Sequence, residues 1–171
     1  MQTLNILNEM KNKYTKEEGY LESDLLHFGY DHIDTALFLI TEKDPNSYDS
    51  AGYILHLGFE LILKAWHLHE FSFFKDTHKL ENLINKLRQN GCKIEFKDRE
   101  ANTIKIINKF YNLRYPRRVE GPIEIGADML DDIQSTLESL WQQLPKELIE
   151  VYNKIEPLRK GGRVLMEKRK I

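Results

Sequence analysis

One long apolar run constrains the fold of this chain more than any other feature. The stretch YILHLGFELILKAWHL, from Tyr53 to Leu68, repeats apolar side chains at intervals of three and four residues. This spacing belongs to an α-helix and not to a strand. The apolar positions form two adjacent seams, Ile54, Leu57, Leu61, Ala65 and Leu68 in one and Leu55, Phe59, Ile62 and Trp66 in the other. A helix with two seams needs partners on more than one side, so we predict a central helix over residues 47–70.

The same spacing predicts helices in the rest of the chain. We expect long helices over residues 20–42, 97–114 and 126–144, and shorter ones over 3–14, 78–89 and 145–155. Asp76 or Thr77 is the predicted N-cap of the 78–89 helix. No alternating strand pattern persists, and the turns between helices are short. The predicted fold class is therefore all-α, an antiparallel bundle of four to five long helices with short terminal helices.

Charge divides the chain into a body and a basic end. We predict an N-terminal extension (1–19), a helical bundle (20–156) and a basic C-terminal tail (157–171). The tail holds six Lys or Arg residues against Glu167, a charge of +5, so the remainder of a chain with net charge −2 carries −7. Such a tail either remains solvated, docks on its own acidic body, or binds nucleic acid or an acidic partner. One side of the first long helix carries Asp24, His27, Asp31 and Asp34. This side is either a solvated acidic face or a docking surface for the tail.

The remaining composition indicates a cytoplasmic protein. No stretch reaches the ~18 consecutive apolar residues of a transmembrane helix. The first residues lack the basic start and apolar run of a signal peptide. Cys92 is the single cysteine, so an internal disulfide is impossible. We therefore expect a cytoplasmic location and no membrane partner.

A stripe of polar side chains runs along the predicted central helix. His56, Glu60, Lys64 and His67 are spaced four, four and three residues apart, so they lie on one side. The stripe is either the solvated side of the helix, with Glu60 and Lys64 as an ordinary ion pair, or a polar column facing a cleft. His67 and His69 point in opposite directions, and two ligands do not make a metal site, so we predict neither metal nor cofactor. His78 begins the next helix as a packed or capping residue.

The segment FYNLRYPRRVEG, Phe110 to Gly121, ends the helix predicted over residues 97–114 with three arginines. Arg114 lies on the core line of that helix, where a guanidinium requires a carboxylate, phosphate or carbonyl partner, and Glu60 is the first choice. Tyr115 precedes Pro116 and must leave the helical conformation. Arg117 and Arg118 then follow in an exposed, extended segment. The segment either binds an anion or a base, with Tyr115 as a stacking platform, or only locks the bundle through Arg114.

Three motifs in order resemble the HEPN domain family. They are GFELILKAW (Gly58–Trp66), THKLENLINKL (Thr77–Leu87) and NLRYP (Asn112–Pro116). The family pattern has a central helix with Glu and Lys four residues apart, a His-x-Leu-x-x-Leu helix and a later helix ending in Arg-Tyr-Pro. The resemblance covers residues 20–145. It implies a bundle of four or five long helices, often a homodimer, in prokaryotic nucleotide or RNA biology. Many members are metal-independent ribonucleases of toxin or defence systems, and some pair with a nucleotidyltransferase.

This chain departs from the nuclease members of the family. Those members carry an Arg and a His separated by four to six residues, and counted from Arg114 the positions of the His hold Val119, Glu120 and Gly121 in this chain. No histidine follows His78, and the first arginine is Arg88, so the motif is impossible anywhere in the sequence. Arginine does not titrate near neutral pH and cannot replace the histidine as a general acid or base. Only Arg114 matches the helix-end arginine of the family.

Three functions therefore stay open, and whether the chain is an enzyme is uncertain. The first is a non-catalytic HEPN-like module that binds a nucleotide, RNA or an acidic partner through Arg114–Arg118, with Tyr115, His56, Glu60, Lys64 and His78 as further candidate binding residues. The second is a metal-independent ribonuclease with a rearranged site, in which His56 or His78 approaches Arg114. The third is a purely dimeric interaction protein. A homodimer is expected in each, because the central helix carries more apolar surface than one bundle face needs.

Overall fold

Most of the described chain is helical. A computed structural model describes residues 13–42, 45–114 and 125–160, with the backbone alone for Pro45, Arg114 and residues 155–160. Within these ranges there are six α-helices and one two-stranded sheet. The helices are α1 (Glu22–Thr41), α2 (Tyr48–Phe71), α3 (Leu80–Gln89), α4 (Asp98–Lys109), α5 (Leu130–Gln143) and α6 (Lys146–Lys160). The prediction of a mainly α-helical chain is confirmed.

Helix bounds follow the apolar pattern closely in α1 and α2 and less closely elsewhere. Both begin and end within two residues of the predicted positions. The helix predicted over residues 97–114 is an α-helix only to Lys109, and Phe110–Arg114 continues as a tighter 3₁₀ turn. Another 3₁₀ turn, Ala127–Met129, precedes α5. The backbone of α6 continues to Lys160, beyond the predicted start of the basic tail at Pro157.

A small sheet was not expected from the sequence. Strand β1 (Lys13–Thr15) pairs antiparallel with β2 (Phe73–Lys75), so residues 13–14 are not in the predicted leading helix; residues 1–12 lie outside the described part. Strands of three residues are too short to show an alternating pattern. Three rings pack together at the sheet: Tyr14 stacks on Phe74 at 5.1 Å, and Tyr20 meets both edge-on. The strictly all-α expectation is therefore wrong in this detail.

Helices α1 and α2 cross at a pair of glycines. A Cβ atom placed on Gly29 would lie 2.9 Å from the Gly58 carbonyl oxygen, and one on Gly58 would lie 2.8 Å from that of Gly29. Farther along, the Glu22 carboxylate of α1 lies 3.9 Å from the His69 ring of α2. Partner numbers in α2 fall as those in α1 rise, so the two helices are antiparallel. The missing side chains let the two backbones come into contact.

Helix α2 is the centre of the core, as predicted. Its second seam, Leu55, Phe59, Ile62 and Trp66, is buried along its whole length. The first seam is buried only at Ala65 and Leu68, whereas Ile54, Leu57 and Leu61 are half-buried. Helix α2 contacts α1, α3, α4, the 3₁₀ turn after α4, and β2. These elements therefore cover Ile54, Leu57 and Leu61 only in part.

The N-terminus of α3 is capped from a different helix. The predicted caps, Asp76 and Thr77, are wrong: the N-cap position is Lys79, which makes no side-chain capping bond. The backbone N–H of Leu80 instead donates to the Asn108 Oδ1 of α4 at 2.8 Å. A cap contributed from 28 residues away leaves no local sequence signal. Among the described residues, none of the helices combines the length and apolar character required to cross a membrane.

Candidate functional site

The polar stripe of α2 is buried. His56, Glu60, Lys64 and His67 are 2%, 4%, 6% and 4% exposed. The interpretation of the stripe as the solvated side of α2 is therefore wrong. The sequence pattern did not distinguish a solvated side from a covered one, because α3 and the turn after α4 cover the polar side of α2. Burying ionisable groups is costly unless they are paired, so the role of these four side chains depends on the groups that they contact.

Glu60 lies at the centre of a cluster of bases. Its Oε1 accepts hydrogen bonds from Lys64 Nζ at 2.6 Å and from His78 Nδ1 at 3.0 Å. The His56 Nδ1 atom lies 3.9 Å from the other carboxylate oxygen. Lys64 Nζ also lies 5.3 Å from the centre of the Phe74 ring, a cation–π contact from β2. One carboxylate thus faces three basic side chains.

His78 connects this buried cluster to the surface. Its side chain is 32% exposed, whereas that of Glu60 is 5% exposed. Its Nε2 atom lies 3.5 Å from Asp76 Oδ1. The prediction of a packed or capping role for His78 is incomplete: the N-cap position of α3 is Lys79, and the His78 ring lies between a buried and an exposed carboxylate.

A narrow cleft opens beside the cluster. It is lined by Tyr53, Leu57 and Tyr111 together with His56, Glu60 and His78, and its volume of about 10 Å³ holds at most about one water molecule. The Tyr111 ring is 6.1 Å from the His56 ring and 6.0 Å from Lys79 Nζ. Tyr111 belongs to the 3₁₀ turn that ends at Arg114. The start of the arginine-rich segment is therefore fixed against the Glu60 cluster.

The arginine-rich segment itself is only partly described. The backbone of Arg114 ends the 3₁₀ turn, and its side chain lies outside the described part of the structure, as do Tyr115, Arg117 and Arg118. The expected Arg114–Glu60 pair is thus untested. Glu60 pairs with Lys64 and His78 among the residues whose side chains are described.

His67 is separate from the other members of the stripe. Its Nε2–H donates to the Leu83 carbonyl at 2.9 Å, which ties α2 to α3. Burial lowers the pKa of His67, the Leu83 carbonyl opposes this, and the charges of Lys86 and Lys64 lower it further. The ring is a structural tie between two helices and takes no part in the Glu60 cluster.

The predicted acidic face of α1 is not uniform. Asp31 and Asp34 are exposed and Asp24 is half-buried, but His27 is 2% exposed and stacks on Tyr152 at 4.2 Å. His27 is part of the interface between α1 and α6. The described residues contain no cluster of three or more His, Cys, Asp or Glu side chains with metal-binding geometry.

Two aromatic residues of the cleft, Tyr53 and Tyr111, were missed from the sequence. Tyr53 precedes His56 by three residues and Glu60 by seven, so the helical spacing of α2 was a signal for it. Tyr111 carried no comparable signal, because it reaches the cleft from the 3₁₀ turn after α4.

Comparison with known proteins assigns no family. Protein-family models, curated proteins and solved structures give no match to this chain.

Proposed function

We propose that this chain is a non-catalytic, HEPN-like binding module that holds the phosphates of a nucleotide or RNA between the cleft rim and Arg114–Arg118. The proposed fold is an antiparallel bundle of the long helices, which agrees with the order of the three motifs that resemble the family. The single observation that carries it is the buried carboxylate of Glu60, surrounded by Lys64, His78 and His56 beside the turn that leads to the arginines.

The charges around the cleft favour an anion. Glu60 balances one positive charge, and Lys64 supplies that charge at 2.6 Å. Lys79 stands beside Tyr111, and the sequence adds three arginines within the next seven residues. Arginine forks and ammonium groups are the usual phosphate ligands of proteins.

The size of the cleft decides where such a ligand lies. A volume of about 10 Å³ excludes a nucleotide from the interior. We therefore place the phosphates on the rim, with the half-buried Tyr111 and with Tyr115 as stacking surfaces for a base. On this arrangement Glu60 is a positioning residue that holds His78 and Lys64, and it does not touch the ligand.

A titration with fluorescent single-stranded RNA and with labelled ATP tests the proposal. The parent should bind, with an affinity that falls steeply between two salt concentrations, because each phosphate contact releases a counterion. Arg117→Glu with Arg118→Glu should abolish most of this binding. The matched control is Lys146→Glu with Lys154→Glu, the same charge change on exposed positions of α6. Equal affinity of both double variants, or no binding by the parent, contradicts the proposal.

A second candidate function, a metal-independent ribonuclease, is favoured by one contact. The hydrogen bond from His78 Nδ1 to a buried carboxylate is the arrangement that orients a general acid or base. RNA incubated with the parent in EDTA would then be cleaved, and His78→Gln would lose the cleavage while Arg117→Glu weakened it. Binding without cleavage leaves the non-catalytic module.

We also propose that the module forms a homodimer. An apolar surface remains along α1 and α2, where Leu21 and Phe28 are 48% and 44% exposed and Ile54, Leu57 and Leu61 are half-buried. The resemblance adds a nucleotidyltransferase-type protein as a possible partner in a defence system. Co-purification from the native host shows whether the chain pairs with a second copy of itself or with such a partner.

A further inference from the structure

A groove on the other side of α1 shares no residue with the Glu60 cleft. It runs between α1, α5 and α6 and has a volume of about 480 Å³. This is within the usual range of small-molecule sites, roughly 300–1,000 Å³. The groove is therefore large enough for a ligand, unlike the cleft described above.

Three aromatic rings from three helices meet along the groove. Trp141 of α5 lies 4.9 Å from Tyr152 of α6 at an interplanar angle of 81°. Tyr30 of α1 lies 5.7 Å from Trp141 and 5.9 Å from Tyr152, at 65° and 60°. Rings at such angles pack against one another edge to face or tilted rather than in a flat stack. Exposed ring faces attract ammonium groups, because they carry negative potential.

The polar lining of the groove is acidic or neutral. Asp34 and Glu138 are exposed and stand in the lining on α1 and α5. Gln134 Nε2 donates to Glu138 Oε1 at 3.3 Å, which leaves the carboxylate its charge. Among the described lining residues there is no Lys, Arg or His. An anion would therefore meet two carboxylates and no compensating base.

We propose that this groove binds an organic cation, with an alkylammonium or guanidinium group placed between the rings of Tyr30, Trp141 and Tyr152 and the carboxylates of Asp34 and Glu138. The cation gains attraction to the ring faces and to both carboxylates. An apolar ligand would leave the acidic rim without a partner, and an anion would be repelled.

Two sources offer this chemistry. One is a free amine, such as an aliphatic polyamine. The other is a basic side chain of residues 161–171, which carry four Lys or Arg against Glu167 and follow directly on α6, the helix that contributes Tyr152. The recognition chemistry is the same, and the experiment separates the two.

The test uses spermidine and the full chain at constant ionic strength. Tryptophan fluorescence and calorimetry should show saturable binding, and the uncharged 1,8-octanediol should not bind. Asp34→Asn with Glu138→Gln should weaken spermidine binding about tenfold or more, because each substitution removes one carboxylate that contacts the cation. The matched control is Glu81→Gln with Asp98→Asn, which removes two exposed carboxylates elsewhere. Trp141→Leu should lose the fluorescence response and weaken the heat of binding.

A tail variant distinguishes the sources. With Lys168, Arg169 and Lys170 changed to Gln, tighter spermidine binding than in the parent assigns the groove to the chain's own basic segment. Equal binding assigns it to a free amine. Absence of saturable binding in both proteins overturns the proposal. So does binding that Asp34→Asn with Glu138→Gln leaves unchanged.

Discussion

At the scale of single residues, Glu60 is the group on which the buried cluster depends. Its carboxylate is the acceptor for both Lys64 and His78. Glu60→Gln keeps the shape but leaves the Lys64 ammonium buried without a counter-charge. Breaking a buried ion pair in this way costs about 3–5 kcal/mol. Urea unfolding monitored by circular dichroism should therefore show a large drop in the free energy of unfolding.

A double variant separates the lost pair from lost packing. Glu60→Gln with Lys64→Met removes both charges and keeps the volume. Its loss of stability should be smaller than the sum of the two single losses, because the single variants each strand one partner. Additive losses, or a Glu60→Gln protein as stable as the parent, would show that the pair is solvated in solution.

His67 makes stability depend on pH with a defined sign. Burial lowers its pKa in the folded protein, whereas the unfolded chain has the ordinary value of about 6.5. The unfolded state therefore takes up the proton first as pH falls. The contribution of His67 to stability is complete above about pH 6.5 and is lost progressively below it.

The expected experiment compares the parent with His67→Gln from pH 8 to pH 5. The variant is less stable at pH 8, because the ring and its bond to the Leu83 carbonyl are lost. The difference between the two proteins should narrow as pH falls below about 6.5. Two parallel stability curves would mean that His67 does not titrate differently in the folded state.

At the scale of elements, the crossing of α1 and α2 tolerates no added atom. An alanine normally stabilises a helix relative to glycine by about 1 kcal/mol. At Gly58 a Cβ would lie 2.8 Å from the Gly29 carbonyl oxygen and 2.5 Å from Ile33 Cγ1. Gly58→Ala should therefore destabilise, by about 1–3 kcal/mol, because backbone atoms must separate. The exposed Ser50→Ala in the same helix is the control, and a more stable Gly58→Ala protein would contradict the close crossing.

The elements that sequence predicted best are those with a long apolar period. Helices α1 and α2 show it over 20 and 24 residues, and their bounds were predicted closely. Features made by distant residues were missed: the β1–β2 pair, and the Asn108 cap of α3. Periodicity identifies one side of a helix but not what covers the opposite side. For that reason the stripe from His56 to His67 stayed ambiguous until α3 and Tyr111 were seen to cover it.

The candidate site was predictable to the same limited degree. Helical spacing brought Glu60, Lys64 and His56 together, and the structure adds His78 to them. The groove of Tyr30, Trp141 and Tyr152 was not predicted, since its rings belong to three helices far apart in the chain. Convergence of single residues from separate elements depends on packing, which a local pattern does not contain.

At the scale of the whole molecule, the two apolar flanks of α1 and α2 lie on the same side. At about 100° per residue, Leu25 and Phe28 lie on one flank of the crossing residue Gly29. Leu57 and Leu61 lie on the equivalent flank of Gly58. Because the helices are antiparallel, these flanks form one continuous surface, opposite to the side that packs on α5 and α6. We expect a second copy of the chain to cover this surface.

Light scattering at micromolar concentration should give about twice the chain mass of 20.3 kDa. A charge on this flank of α1 and α2 should be unfavourable only if a second copy of the chain buries it. Phe28→Glu with Leu61→Glu should therefore yield the monomer mass with little loss of helix content. Phe38 offers the matched control, since it is 62% exposed on the side of α1 that points away from the Gly29 crossing, and Phe38→Glu should remain dimeric. A parent at the monomer mass, or dissociation by Phe38→Glu as readily as by the double variant, would place the dimer contact elsewhere or exclude it.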